Sequence, residues 1–85
     1  MAKFQFSDRS YSCGAFIREV RIIYGKILLV LTQDRNDSSW DLFFYDISQI
    51  DGFQYLCDYK ISIDLANKII KEASEYHDYL YARYS

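Results

Sequence analysis

The apolar positions of this chain follow two different rhythms. Between Ala15 and Ile61 they come in short runs that alternate with polar residues or do not break at all; from Ser62 onward they recur every three or four residues. Side chains alternate between faces along a strand and gather on one side of a helix at a period of 3.6, so the pattern predicts a β-meander followed by a single helix.

Ala15–Tyr24 is ambiguous. Phe16, Val20 and Ile23 fit a helical face, whereas Phe16, Val20, Ile22 and Tyr24 fit one face of a strand with Arg18 as the exception. The β-branched and aromatic residues favour the strand. Gly25-Lys26 then predicts a tight reversal into Ile27–Thr32. Gln33–Ser39, rich in Asp, Asn and Ser, reads as a loop. Trp40–Asp46 places Trp40, Leu42 and Phe44 on one face and Phe43 and Tyr45 on the other. Ile47–Gly52 reads as a connection with one helical turn. In Gln54–Ile61, Tyr55, Cys57 and Tyr59 alternate against Leu56 and Asp58. Phe4-Gln5-Phe6 alternates too briefly for more than an arm or an edge strand.

The helix carries the firmest signals. Ser62 is placed to cap it, and Asp64 lies in the first turn, where the helix dipole favours an acid. Ala66, Ile69, Ile70, Ala73, Tyr76, Leu80 and Tyr84 form the apolar stripe, with Tyr79 and Tyr81 on its flanks. The expected fold is α+β: an antiparallel β-meander of three to four strands with one C-terminal amphipathic helix packed on one face. The expected division is one domain, 1–85, with an arm at 1–14, the meander at 15–61 and the helix at 62–84.

One helix covers one face of a small sheet. Yet Ile27-Leu28-Leu29-Val30-Leu31 is apolar on both faces, and so is Trp40–Tyr45. The expectation is that some of this surface lies against another molecule, a second copy or a different protein.

Composition narrows the picture. The chain is 51% hydrophobic and 19% aromatic, without proline, which excludes a disordered tail. Its longest apolar run is far below the ~20 residues of a membrane span, and Met1–Asp8 has no apolar signal core, so no membrane association is expected and a cytoplasmic location is. Cys13 and Cys57 are too few for a disulfide scaffold and read as buried or half-buried thiols, with a bridge between them left open. The net charge of −2 hides an asymmetry. Basic residues prevail up to Arg35, and acids such as Asp37, Asp41, Asp46, Asp51, Asp58 and Asp64 prevail beyond it.

Candidate chemistry is thin. Cys13 or Cys57 with His77 and Asp78 supplies the residue types of a nucleophilic set, but adjacent helical positions diverge by about 100°, so Asp78 is badly placed to orient the ring. Asp34, Asn36 and Ser38 begin a calcium-loop spacing, but Ser39 replaces the required glycine and Tyr45 the bidentate Glu. Gly14, Gly25 and Gly52 are isolated and cradle no phosphate. No catalytic residue, metal or cofactor is therefore expected.

The expected role is a small non-catalytic protein-binding module, homo-oligomeric or bound to another protein, using Phe43, Tyr45, Asp41 and Asp46 of the uncovered sheet and Tyr79 and Tyr81 of the helix flank. An inhibitor of the kind that phages and mobile elements raise against host nuclease or defence complexes, an immunity-type protein, or a homo-oligomeric assembly subunit shares this physics. The competing expectation is a nucleic-acid-binding or regulatory domain using Arg18, Arg21 and Lys26, disfavoured by the acids of the second half.

Overall fold

The computed structural model describes residues 3–84. Five strands, β1 (Phe4–Ser10), β2 (Phe16–Tyr24), β3 (Ile27–Asp34), β4 (Trp40–Asp46) and β5 (Gln54–Ile61), precede one helix, α1 (Ile63–Tyr84). The sheet is antiparallel throughout, in the order β1-β2-β3-β4-β5. The fold is α+β with five strands, one more than the most that the sequence pattern predicts. The extra strand is β1, which occupies half of the expected arm. Only Phe4 and Phe6 carry its alternation, because Ser7–Ser10 is polar on both sides of an edge strand; its pairing with β2 nevertheless runs from Phe4 opposite Tyr24 to Ser10 opposite Arg18.

Local chemistry sets the turns. Gly25, at φ 63°, takes the first position of the two-residue β2–β3 hairpin, the left-handed region that side chains avoid. Asp34 accepts hydrogen bonds from the amides of Asn36 and Asp37, so the β3–β4 loop is held by its own carboxylate. Arg35 ties this loop to the β1–β2 turn: its guanidinium donates to the carbonyls of Gly14 and Tyr11, each at 2.9 Å. Ile47–Gly52 forms turns without a helical segment.

The cross-strand registers put Phe6, Ile22, Leu29, Phe44 and Cys57 in one row, and Asp8, Val20, Leu31, Leu42 and Tyr59 in the next, on the same face. The helix lies on that face. Ala66 and Ile70 join Val20, Ile22, Leu31, Trp40 and Leu42 in the core, with Ile69 and Ala73 beside it. Ser62 Oγ accepts from the Leu65 amide at 3.1 Å and caps the helix, as its sequence position predicts. The side chain of Tyr84, last of the predicted stripe, lies outside the described residues.

Helix length exceeds sheet width. Five strands span about 19 Å across the sheet. The helix leaves the end of β5 and by His77 has advanced about 21 Å. There it meets the far edge: Tyr76 packs edge-on against Phe4 at 4.8 Å between ring centroids, and His77 lies 6.1 Å from Phe6.

Candidate protein-docking surface

No described element lies over the other face of the sheet, and its rows show a gradient. Gln5, Ile23, Leu28, Tyr45 and Tyr55 form one row; Ser7, Arg21, Val30, Phe43 and Asp58 the next; Arg9, Glu19, Thr32, Asp41 and Lys60 the third. Apolar and aromatic groups thus fill the end nearest the β2–β3 hairpin, and charges fill the opposite end. A shallow concavity of about 290 Å³ lies here, lined by Leu28, Val30, Phe43, Tyr45 and Phe53 with Arg21 and Glu19 at its rim.

The aromatic floor is built by contact. Phe43 and Tyr45 lie at i and i+2 on β4, their rings stacked at 6.5 Å; Tyr45 also meets Phe53 at 6.3 Å and Tyr55 at 6.1 Å. Neighbours alone reduce Leu28 to 2% exposure, while Phe53 remains 62% exposed. Val30, Phe43 and Tyr45 are half-buried. The two-sided apolar character predicted for β3 and β4 is therefore present. Its uncovered part is a patch around Leu28 rather than a whole exposed face.

A bulge changes what β5 presents. Phe44 opposes Cys57 but Tyr45 opposes Tyr55, leaving Leu56 as the extra residue. Tyr55 is thereby moved to the uncovered face, away from Cys57 and Tyr59, with which the plain alternation groups it. Its hydroxyl donates to Asp58 Oδ1 on the same face, and that bond pushes the phenol pKa up to about 12. Across the sheet, the neighbouring Cys57 side chain raises the Tyr59 phenol above its ordinary value.

The residues predicted to bind protein fall on two surfaces. Phe43, Tyr45 and Asp41 share the uncovered face. Asp46 does not: it stands in the row of Ile27 and Tyr24 on the helix side. Its carboxylate is held below the usual range by Ser48, whose amide donates to it at 2.8 Å. That is a turn-forming role. Tyr79 and Tyr81, 54% and 70% exposed, lie on the helix across the sheet from Phe43, so they extend a different surface. Tyr79 stacks on Tyr76 and accepts a hydrogen bond from Arg83 at 3.1 Å. Ile23, Phe53 and Tyr55 belong to the patch and were not predicted. Ile23 sits on the minor face of an ambiguous strand, Phe53 in a loop without periodicity, and Tyr55 beyond a bulge.

The basic residues of the nucleic-acid reading are dispersed as well. Arg18 lies on the helix side, where its guanidinium donates to both carboxylate oxygens of Asp8, at 3.0 and 2.7 Å, and sits 5.6 Å from the Trp40 ring centroid. The Asp8 hydrogen bonds raise its pKa further, against partial desolvation. A cation thus stands among apolar residues because Asp8 and Trp40 receive it. Arg21 is on the uncovered face, paired with Glu19 at 2.6 Å. Lys26 is exposed in the β2–β3 turn.

The groups of the nucleophilic set do not meet. Cys57 is on β5 and His77 is against β1, at opposite edges of the sheet, and Cys13 is exposed in the β1–β2 turn. Both thiols are free, so the bridge left open by the sequence is not formed, and Cys13 is more exposed than expected. Among the described residues no group of three or more His, Cys, Asp or Glu side chains is disposed to hold a metal, and no helix is long and apolar enough to cross a membrane. Comparison with known protein families, curated proteins and solved structures finds nothing that matches this chain.

Proposed function

We propose that this protein is a small binding module that docks another protein on the uncovered face of its sheet. The observation that carries this reading is the cluster of Val30, Phe43, Tyr45, Tyr55 and Phe53 around the buried Leu28, on a face that α1 does not reach. Aromatic groups with polar tips, set around a concavity and flanked by charges, have the composition of an interface centre and its rim. Arg21 and Glu19 border the patch on one side, and Asp58 and Asp41 border it on the other.

Those two acids support a narrower reading: inhibition of an enzyme whose surface is basic because it handles nucleic acid. Acids beside an apolar anchor steer a basic partner and set its register. The nucleic-acid reading draws less support, since Arg18 and Arg21 are both engaged with acids of their own chain.

The test is isolation of a complex from cells that naturally make the protein, using tagged wild type and a Phe43→Ser/Tyr45→Ser chain of equal helix and sheet content. The expected result is a partner in fixed stoichiometry with the wild type and none with the variant. Equal recovery with both would remove the uncovered face from the account.

A further inference from the structure

The sheet has two free edges, and they differ. Beside β1, Phe4 and Phe6 are half-buried under Tyr76 and His77 of the helix. The outer edge of β5 has no such cover. Leu56 and Tyr59 on the strand, and Ile63 and Leu65 in the first turn of the helix that follows it, each keep about half of their surface in water. An open strand edge is a template for another strand, and sequences commonly blunt it with proline, bulges or charge. Here the bulge at Leu56 ends regular pairing at one side and leaves Cys57-Asp58-Tyr59-Lys60-Ile61 as the straight portion.

We propose that β5 pairs antiparallel with β5 of a second copy, with the two-fold axis through Tyr59. This register is the one that the charges select. Antiparallel pairing about Tyr59 sets Asp58 opposite the Lys60 of the other copy, twice by symmetry, and Cys57 opposite its Ile61. Asp58 and Lys60 stand on the uncovered face. Among the described residues neither closes an ion pair within its own chain. Asp58 receives the Tyr55 hydroxyl on Oδ1, which leaves Oδ2 for the incoming ammonium. Moving the axis by one residue to Asp58 or Lys60 would bring like charges face to face. Tyr59 is on the helix side of the sheet, as are the two helix starts, so Tyr59, Ile63 and Leu65 of both copies gather beside the axis. A ten-stranded sheet with both helices on one face results. It leaves Leu28, Val30, Phe43 and Tyr45 uncovered in each copy and engages only Asp58 at the border of that patch. An interface built on so short an edge is small, so the dimer is weak and its population depends on concentration.

The test is sedimentation equilibrium of the full chain from ~10 μM to ~1 mM. Wild type, Asp58→Lys and Lys60→Asp are compared singly and as an equimolar mixture of the two variants. Each variant alone sets like charges opposite one another at both positions and weakens the dimer by about tenfold or more. The mixture restores both attractions and dimerises as tightly as the wild type. If Asp58→Lys does not fold, salt supplies the second readout: added salt weakens the wild-type dimer and strengthens that of Lys60→Asp. A wild type that stays monomeric throughout, variants that dimerise unchanged, or a mixture no tighter than its components would each overturn the proposal. Phe43→Ser/Tyr45→Ser, which strips the docking patch, leaves the dimer unchanged if the two surfaces are separate.

Discussion

Val30 and Leu31 are consecutive in β3 and point to opposite faces, so the pair separates the core from the uncovered face within one strand. Leu31 is 0% exposed, enclosed by Val20, Leu42, Trp40 and the helix residues Ala66 and Ile70. Leu31→Ala removes buried carbon from a site where sheet and helix leave little freedom to collapse. Its cost falls in the range of about 3–5 kcal/mol for fully enclosed leucines. Val30 is half-buried and borders the open concavity, so Val30→Thr, of nearly the same shape, exposes a hydroxyl to water and costs about 1 kcal/mol or less. For a domain of this size 1 kcal/mol shifts the melting temperature by roughly 4–8 °C. Urea denaturation followed by circular dichroism should therefore show a large fall in midpoint for Leu31→Ala and a small one for Val30→Thr, with similar slopes. Equal losses would mean that the uncovered face is a second internal core. The case for docking would then fall.

Three further outcomes are expected. Arg18→Met removes the guanidinium that stands over Trp40 and strands Asp8; the ion pair is about one-third exposed, so the loss is about 1–2 kcal/mol by thermal melting, and a variant as stable as the wild type would make the Asp8–Arg18–Trp40 contact irrelevant. In an alkaline titration followed by tyrosinate absorbance, Tyr55 ionises later than an ordinary phenol because Asp58 holds it protonated. A phenol raised in the folded state contributes stability that is complete below the unfolded value near 10 and lost as pH rises through about 12. Asp58→Asn should advance that last ionisation, and an unchanged curve would refute the pairing. Ser62→Ala removes the oxygen that receives the Leu65 amide and lowers stability by about 1 kcal/mol, whereas Ser74→Ala on the same helix, used as the control, changes little.

Much of the framework was legible because one or two residues decide each element. Alternation assigned Trp40, Leu42 and Phe44 to the core and Phe43 and Tyr45 to the opposite face, and the capping serine and apolar stripe located the helix. Three features depended on contacts that a linear pattern does not carry. β1 is a full strand because β2 offers it a partner through Ser10, not because Ser7–Ser10 has any strand periodicity. Arg18 breaks the apolar face of β2 because Asp8 and Trp40, distant in sequence, accept its charge. Tyr55 reaches the uncovered face only through the bulge at Leu56, which inverts the faces of everything before it in β5. The site was legible to the same degree: Phe43 and Tyr45 followed from alternation, while Phe53 became part of it through a loop.

We propose that the face bearing Phe43 meets another protein and that the outer face of the helix does not. A photo-activated cross-linking residue placed at position 43, and in a second chain at exposed Lys71 of the helix, tests this directly in cells that make the protein. Illumination should yield one defined adduct from position 43, suppressed by excess wild-type chain, and none from position 71. Adducts from neither position, or equally from both, would contradict the claim.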